Sequence, residues 1–349
     1  MTDQVWNKKI HIENKKEREQ NMKKISMVIM FVLLMTIVSA CGGEKDSNGK
    51  NVTKENVNAE DTKKEEKQEA NQNENNENAA PAECFYFREE RGGITITGFK
   101  NLEENPLTEV VIPSVIEGKE VLKIETFGGS NSYDPNAKYV EKVVIPDTVT
   151  NIDSEAFYGY VSLKTVVLSK NLSYLGREVF KNCENLENIN IAECTKLDIV
   201  NDDVFYNTGI VEYTMPESIT EYPKIGGCKK LKNIRFHDKV VLLGGISYCD
   251  SIEKIVFPDT IKTVYNISDC PALTEVVLGS GLEKAPQIRE CPALTSLILP
   301  DGIKEVTPYD FSGCENLSVT YKGIVYENVG SEDGYEKLHL AVMGEEYSK

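Results

Sequence analysis

The chain has 349 residues, of which 40% are hydrophobic and 27% charged, a composition that fits a globular protein of one or two domains. Its net charge of -17 and its pI near 4.8 argue against nucleic acid as a partner, because an acidic surface repels phosphate backbones. Its nine cysteines are spread along the chain, so they do not predict the disulfide framework of a small secreted domain.

The first apolar segment covers residues 25–40, and Lys23 and Lys24 precede it. Its length of about 16 residues is short for a bilayer span of ~20, and a positive segment before such a run is typical of a signal peptide. The run ends in Val38-Ser39-Ala40-Cys41. This order resembles the lipobox of bacterial lipoproteins, which implies a diacylglyceryl group on Cys41 and cleavage of a signal peptide at residues 22–40.

Two alternatives stay open at this segment, namely an ordinary signal peptide followed by an incidental cysteine and a retained membrane helix. Residues 1–21 are highly charged without an apolar period, and we interpret them as an extension ahead of a true start at Met22. Residues 44–83 are rich in Glu, Lys, Asn and Gln and nearly devoid of large apolar residues. Together with Cys41 they predict a disordered linker over 41–83 that tethers a folded domain.

A cap is predicted over residues 84–106. Two phenylalanines, Phe85 and Phe87, precede Arg91-Gly92-Gly93, and two isoleucines, Ile94 and Ile96, follow Arg91-Gly92, which is typical of a hairpin. A repeat array needs caps because its terminal units otherwise expose the core. Residues 318–349 are predicted to close the other end.

Between residues 107 and 317 the chain repeats one unit, with apolar residues at its first, fourth and sixth positions. The sixth positions are spaced 33, 23, 23, 24, 21, 21, 21 and 21 residues apart. The units are Leu107, Val110, Ile112; Val140, Val143, Ile145; Leu163, Val166, Leu168; Leu186, Ile189, Ile191; Ile210, Tyr213, Met215; Leu231, Ile234, Phe236; Ile252, Ile255, Phe257; Leu273, Val276, Leu278; and Leu294, Leu297, Leu299, with a shortened echo at Leu317, Val319, Tyr321. The alternation predicts a short strand in each unit, and strands at this interval predict stacked coils that share one core.

Each unit continues with a turn, a second apolar pair and a larger apolar residue that we call the plug. The turn often contains proline, which ends a strand ladder because it lacks an N–H group. The plugs are Phe157, Phe180, Ile225, Ile246, Ile267, Ile288 and Phe311. Three residues after the plug stands a cysteine in most coils, at Cys183, Cys228, Cys249, Cys270, Cys291 and Cys314, with Tyr160 in one coil.

This pattern resembles the BspA-type leucine-rich repeats of bacteria, and the segment from Ile145-Pro146 to Ala156-Phe157 is close to that consensus. The resemblance implies a leucine-rich-repeat solenoid, a β-dominated right-handed coil of short parallel strands, turns and loops, exposed at the cell surface and preceded here by a disordered tether. Some members are adhesins, but the family implies no specific ligand. The four middle coils depart from the pattern because they are two residues shorter and lack the Ala-Phe pair.

The repeating cysteines allow a metal, a disulfide or a packing interpretation. Their spacing follows the coil length and contains no local Cys-x-x-Cys pair for zinc, so we predict a buried stack of free thiols and no metal. Adjacent coils are near enough for disulfides, but parallel Cβ vectors disfavour them. Cys84 and Cys194 lie off the repeat and have no assigned role.

Catalysis has little support in the sequence. The three histidines, His11, His237 and His339, stand apart from one another, and no hydrolase, phosphate-loop or dinucleotide motif is present. We therefore expect neither an enzyme nor a cofactor, while a hydrolase with an unrecognised site is the third functional alternative.

Two features are candidate binding sites. The outward strand positions carry apolar residues in two groups, at Val111, Val144, Val167 and at Val256, Val277, Ile298. Exposed apolar patches tend to mark interaction sites, although β-branched residues also suit any strand. The long first interval adds about ten residues near 128–138, and Tyr133, Asp134 and Asn136 are predicted to project from this loop unless it is an inert insertion.

The resulting functional hypothesis is a lipoprotein on the extracellular face of the bacterial membrane, anchored at Cys41. Its solenoid would bind a host or bacterial surface protein or a glycan, with adhesion as one such role. The alternative is a structural or envelope-associated lipoprotein without an adhesive role.

Overall fold

A computed structural model of the chain describes residues 78–90, 92–100, 106–125, 134–307 and 310–344. The predicted extension, signal peptide, lipidation at Cys41 and nearly all of the linker lie outside these residues. The described part is a β-solenoid made of short parallel strands, and it ends in one helix.

The coils up to residue 209 contain the first eleven strands. Their bounds are β1 Phe85–Glu90, β2 Gly93–Phe99, β3 Glu109–Val111, β4 Val115–Ile116, β5 Lys119–Ile124, β6 Lys142–Val144, β7 Asn151–Ile152, β8 Thr165–Val167, β9 Tyr174–Leu175, β10 Asn188–Ile189 and β11 Ile199–Val200. Short 3-10 helices cover Ala82–Cys84, Pro135–Lys138 and Ile191–Glu193.

The remaining coils and the C-terminal segment contain twelve further strands and helix α1. Their bounds are β12 Glu212–Thr214, β13 Glu221–Tyr222, β14 Ile225–Gly226, β15 Asn233–Arg235, β16 Leu242–Ser247, β17 Lys254–Val256, β18 Thr263–Ser268, β19 Glu275–Val277, β20 Gln287–Arg289, β21 Ser296–Ile298, β22 Ser318–Tyr321, β23 Ile324–Tyr326 and α1 Glu332–Met343.

The strands form two faces of the solenoid. The front face consists of the predicted repeat strands, in the sheets β10-β8-β6-β3, β12-β15, β17-β19 and β21-β22-β23. The back face consists of β1-β2-β5-β7-β9-β11 and β13-β16-β18-β20, with β4 and β14 as side pairs. The second apolar pair of each unit therefore lies on back-face strands, and these strands were not predicted from the sequence pattern.

The core lies between the two faces and consists of the predicted apolar positions. The fourth-position residues are buried in most coils, and the plugs Phe157, Phe180, Ile225, Ile246, Ile267, Ile288 and Phe311 are all buried. Leu107, Ile189, Ile234, Phe236 and Leu278 are only partly buried. Burying this continuous apolar surface is the main favourable term for the fold.

Both ends of the solenoid are covered. β1 and β2 pair antiparallel, as the sequence around Arg91-Gly92-Gly93 predicted, and β2 then pairs in parallel with β5. At the other end β22 and β23 form an antiparallel pair, and α1 begins at an N-cap in which Gly334 donates to the Ser331 hydroxyl. This helix did not emerge from the sequence reading.

The front face is interrupted after β10. Asn190 has the backbone angles φ -89° and ψ 33°, and a 3-10 helix follows it, so the strand ends one residue early. The amide of Leu168 donates to the Asn190 side-chain oxygen at 2.7 Å, where equivalent amides of other coils donate to a backbone carbonyl. Cys194, unexplained in the sequence, is buried behind this turn and its thiol donates to the carbonyl of Ser169.

Candidate functional site

An exposed apolar row crosses the C-terminal part of the front face. Val256 is paired with Val277, Ile298 with Thr320, and Thr320 with Val325. β19 and β21 belong to separate sheets, but Val277 and Ile298 hold the same position of successive repeat units, and Thr320 separates Ile298 from Val325. We call Val256, Val277, Ile298 and Val325 the front ridge. Ile298 is 71% exposed and Val325 57% exposed, which is uncommon for large aliphatic side chains in strands.

The first three members of the front ridge agree with the predicted outward positions. Val325 was missed, because it lies on an antiparallel strand outside the repeat. The only usable sequence cue was the apolar triplet at 324–326 behind Lys322-Gly323, a turn dipeptide. Lys322 and Gly323 both have positive φ, as that tight turn requires.

The other predicted group behaves differently. Val111, Val144 and Val167 lie in register on β3, β6 and β8, but they are half-buried rather than exposed. The backbone amide of Ala80 donates to the carbonyl of Val111, so the segment before β1 reaches this row. The N-terminal group therefore offers less free apolar surface than the front ridge.

Charged side chains beside the ridge neutralise one another in pairs. Lys254 and Glu275 are 2.7 Å apart, and Arg235 and Glu212 are 3.6 Å apart. Both pairs are largely exposed, so each contributes little stability. A partner that contacts the front ridge would therefore also meet these two ion pairs, which carry no net charge.

The prediction that Asp134 and Asn136 project from a loop is wrong. Both are buried: the Asn136 side chain donates to the carbonyl of Phe99 at 3.2 Å and to Asp134 at 2.8 Å. The Tyr160 hydroxyl donates to Asp134 at 2.5 Å. Burial and the negative charge of Asp134 raise the pKa of Tyr160 well above its usual value. These residues brace the 3-10 helix against the core, and Tyr133 lies outside the described residues.

The repeat cysteines are buried free thiols at one position of successive coils. The pKa of Cys270 is raised to about 12, first by a hydrogen bond with the Cys249 thiol, and that of Cys291 to about 12 by a hydrogen bond with Cys270. Burial raises the pKa of Cys183 above any physiological range. Such thiols are inert packing groups rather than nucleophiles.

The coil around residues 200–208 contains a plug that the sequence pattern did not reveal. Phe205 is a plug that stacks on Phe180 at 5.8 Å, and Thr208 holds the position of the missing cysteine. The Thr208 hydroxyl donates to the carbonyl of Phe205 at 2.9 Å. A threonine three residues after a phenylalanine was the cue that could have identified this coil.

The described residues bring together no constellation that holds a metal. His237 is held by the carbonyl of Pro216 and the amide of Lys239, and His339 contacts Tyr335 and the carbonyl of Val306. Both rings therefore have structural partners. Within the described ranges no helix is both long and apolar enough to cross a membrane.

These features define a leucine-rich-repeat solenoid with an exposed apolar ridge. A family model described as "BspA type Leucine rich repeat region" matches six copies over residues 99–226 and 225–318. The match covers more than half of the chain, which therefore belongs to the BspA-type leucine-rich-repeat family. Proteins of this family are generally located at the cell surface and are typically not enzymes.

Several solved structures resemble the chain, and no curated protein matches it in sequence. A leucine-rich cell-surface protein from Faecalibacterium prausnitzii is 19% identical, with 74% of this chain and 96% of that one covered and a TM-score of 0.37. A leucine-rich-repeat protein from T. pallidum is 24% identical over 62% of this chain and 90% of that one, with a TM-score of 0.42. The pneumococcal vaccine antigen PcpA is 15% identical over 69% and 80%, with a TM-score of 0.34.

Proposed function

We propose that this protein is a lipoprotein on the outer side of the bacterial membrane and binds a partner protein through the front ridge. The observation that carries the proposal is that Val256, Val277, Ile298 and Val325 lie on front-face strands with every member at least 40% exposed. Rows of exposed aliphatic side chains on a regular surface are typical of interaction sites.

The chemistry of the ridge favours a protein over a glycan. Aliphatic side chains offer no hydrogen bonds to sugar hydroxyls, whereas an apolar protein surface removes them from water on contact. Burial of apolar area contributes roughly 25 cal/mol per Å², so four such side chains can supply the centre of an interface. The neutralised strip beside them avoids leaving an unpaired charge under the partner.

The test uses the full mature protein, labelled and applied to whole bacterial cells and to a layer of extracellular-matrix protein. A triple variant, Val256→Lys, Val277→Lys and Ile298→Lys, is expected to lose at least ten-fold in binding. A matched control, Val161→Lys with Ile199→Lys, removes exposed apolar side chains elsewhere and is expected to bind like the parent.

Treatment of the target surface separates the kinds of partner. Protease treatment is expected to abolish binding, and periodate oxidation of glycans is expected to leave it intact. A ridge variant that is folded by circular dichroism and binds as well as the parent would overturn the proposal. Failure of the parent to bind either surface would favour the structural, non-adhesive alternative.

The membrane anchor needs a separate test. Cys41→Ala is expected to move the protein from the membrane fraction to the medium, because two acyl chains hold a protein far more firmly than one. Unchanged membrane association of the variant would show that residues 25–40 remain attached as a membrane segment.

A further inference from the structure

A groove of about 510 Å³ lies on the back face, away from the front ridge. It is formed by β18, β20 and the residues that lead into them, and its volume is in the range of small-ligand sites. The side chains that matter for binding are Lys262, Tyr265, Asn266, Lys284, Gln287 and Arg289. Neither the sequence pattern nor the front ridge accounts for this set.

The charge of the groove is opposite to that of the protein. Three cations line it and no carboxylate does, in a chain with a net charge of -17. One of these cations, Lys284, is already paired with Glu305 at 2.7 Å, whereas Lys262 and Arg289 form no salt bridge among the described residues. Nearby, Glu283 pairs with Lys304 at 2.9 Å. A local positive site on an acidic surface attracts a compact anionic ligand.

Arg289 supplies an unused donor. Its Nε atom is buried and has no hydrogen-bond partner within the described part of the chain. Buried donors without an acceptor are unfavourable, and a guanidinium is suited to bind a carboxylate through two parallel hydrogen bonds. The Nε atom itself is buried and Arg289 as a whole is half-buried, so a carboxylate in the groove would approach the outer nitrogens of this guanidinium.

The remaining lining residues suit a sugar. Tyr265 is 60% exposed, so its ring offers a flat face against which the C–H face of a pyranose can stack. Asn266 and Gln287 can each donate to and accept from hydroxyl groups. Gly245 makes room for Asn266, because a side chain there would place its Cβ 2.1 Å from the Asn266 amide oxygen.

Strand pairing disfavours an extended acidic peptide. β18 is paired in parallel with β16 on one side and with β20 on the other, so its backbone groups are used within the sheet. A peptide that adds to a sheet needs a free strand edge, which this groove does not offer. Only side chains are available here, as in a saccharide site.

From these observations we infer that the back-face groove binds an acidic glycan, with its carboxylate on Arg289 and a sugar ring on Tyr265. The inference is independent of the front ridge, which lies on the other face of the solenoid.

The experiment is calorimetric titration of the full mature protein with a galacturonic acid trisaccharide. The matched probes are its methyl ester, which lacks the charge, a short poly-glutamate peptide and inorganic phosphate. We expect binding of the trisaccharide, at least ten-fold weaker binding of the ester, and no detectable binding of the peptide or of phosphate. Binding is also expected to weaken as salt is added.

Variants assign the site. Arg289→Gln and Tyr265→Ala are each expected to weaken trisaccharide binding at least ten-fold, while Lys239→Gln, which removes an exposed charge elsewhere, leaves it unchanged. The triple front-ridge variant is expected to bind the trisaccharide like the parent, so failure of one proposal is distinguishable from failure of the other. The inference is overturned if the trisaccharide does not bind at millimolar concentration, if the peptide or phosphate binds equally well, or if both folded groove variants bind like the parent.

Discussion

The two halves of the solenoid bury their apolar plugs with coils of different length. In the coils up to residue 209, four residues separate the second apolar pair from the plug, as between Ile152 and Phe157. In the four shorter coils two residues separate them, as between Val264 and Ile267. The longer version makes a turn and buries an aromatic ring, whereas the shorter version continues as a strand.

Each version has a visible structural consequence. The coils with plugs Phe157, Phe180 and Phe205 have back-face strands of two residues, β7, β9 and β11, and stack these rings 5.6 and 5.8 Å apart, while β5 in the first coil has six residues. The shorter coils allow β16 and β18 to reach six residues, and they bury isoleucine beside the thiol stack. The back-face groove lies beside the six-residue strand β18 and the three-residue strand β20. A turn that is two residues shorter therefore accompanies longer back-face strands at β16 and β18.

The largest expected effect tests how much the stack of Phe157, Phe180 and Phe205 contributes to the stability of the N-terminal half of the solenoid. Phe180→Ala removes a fully buried ring from between two others and is expected to lower the free energy of unfolding by about 3–5 kcal/mol. The corresponding plug of a short coil, changed as Ile267→Val, is expected to cost about 0.5–1.5 kcal/mol. Urea unfolding followed by circular dichroism measures both, and an equal cost for the two would remove the energetic basis of the comparison.

A second, smaller effect concerns Tyr160, which stands three residues after the plug Phe157, where most other coils have a cysteine. Tyr160→Phe removes the hydroxyl that donates to buried Asp134 and is expected to destabilise the protein by about 1–3 kcal/mol. Tyr174→Phe, at a half-buried tyrosine of the same half, serves as the control in urea unfolding. A cost for Tyr160→Phe no larger than that of the control would mean that the loop is not braced by this bond.

The thiol stack of the short coils is expected to tolerate change better. Cys270→Ala deletes one small buried group and is expected to cost about 1 kcal/mol, similar to the loss of a methylene. In the native protein the repeat thiols are expected to resist a thiol reagent at pH 8, since a pKa near 12 leaves almost no Cys270 thiolate. Denaturation without a reductant is expected to release them all; detection of disulfides among them would contradict the packing interpretation.

The smallest effect is electrostatic and lies at the N-terminal cap. Hydrogen bonds from Arg88, both at 2.6 Å, lower the pKa of Glu125. Because the folded-state pKa is below the unfolded one, this stabilisation is present above the ordinary glutamate pKa and is lost as the pH falls through the folded value. The difference in urea midpoint between the parent and Arg88→Met is expected to be small at pH 7, to shrink by pH 3, and to shrink in 1 M salt. A difference independent of both conditions would assign the effect to packing of the Arg88 stem.

Much of the fold could be predicted because the repeat states the same constraint many times. In each repeat unit the apolar residues at the fourth and sixth positions indicate which side chains point inward. Val256, Val277 and Ile298 stand at the fifth position and are therefore predicted to point outward by alternation. The plugs other than Phe205 and the burial of the repeat cysteines followed from that periodicity, while the family followed from the resemblance of the segment from Ile145 to Phe157 to a known consensus. No single position had to be right, since neighbouring coils repeat the evidence.

What the tertiary structure decided concerns residues that meet across coils or outside the repeat. Asp134 and Asn136 look like loop residues in the sequence, but Phe99 and Tyr160, far from them along the chain, provide the partners that bury them. Val325 joins the front ridge only through an antiparallel pairing with β22. The groove on the back face arises from the register of β18 with β20, which brings Tyr265, Asn266 and Arg289 to one surface. Periodicity along a chain determines the direction of a side chain, whereas its neighbours depend on the coil length and register of other segments.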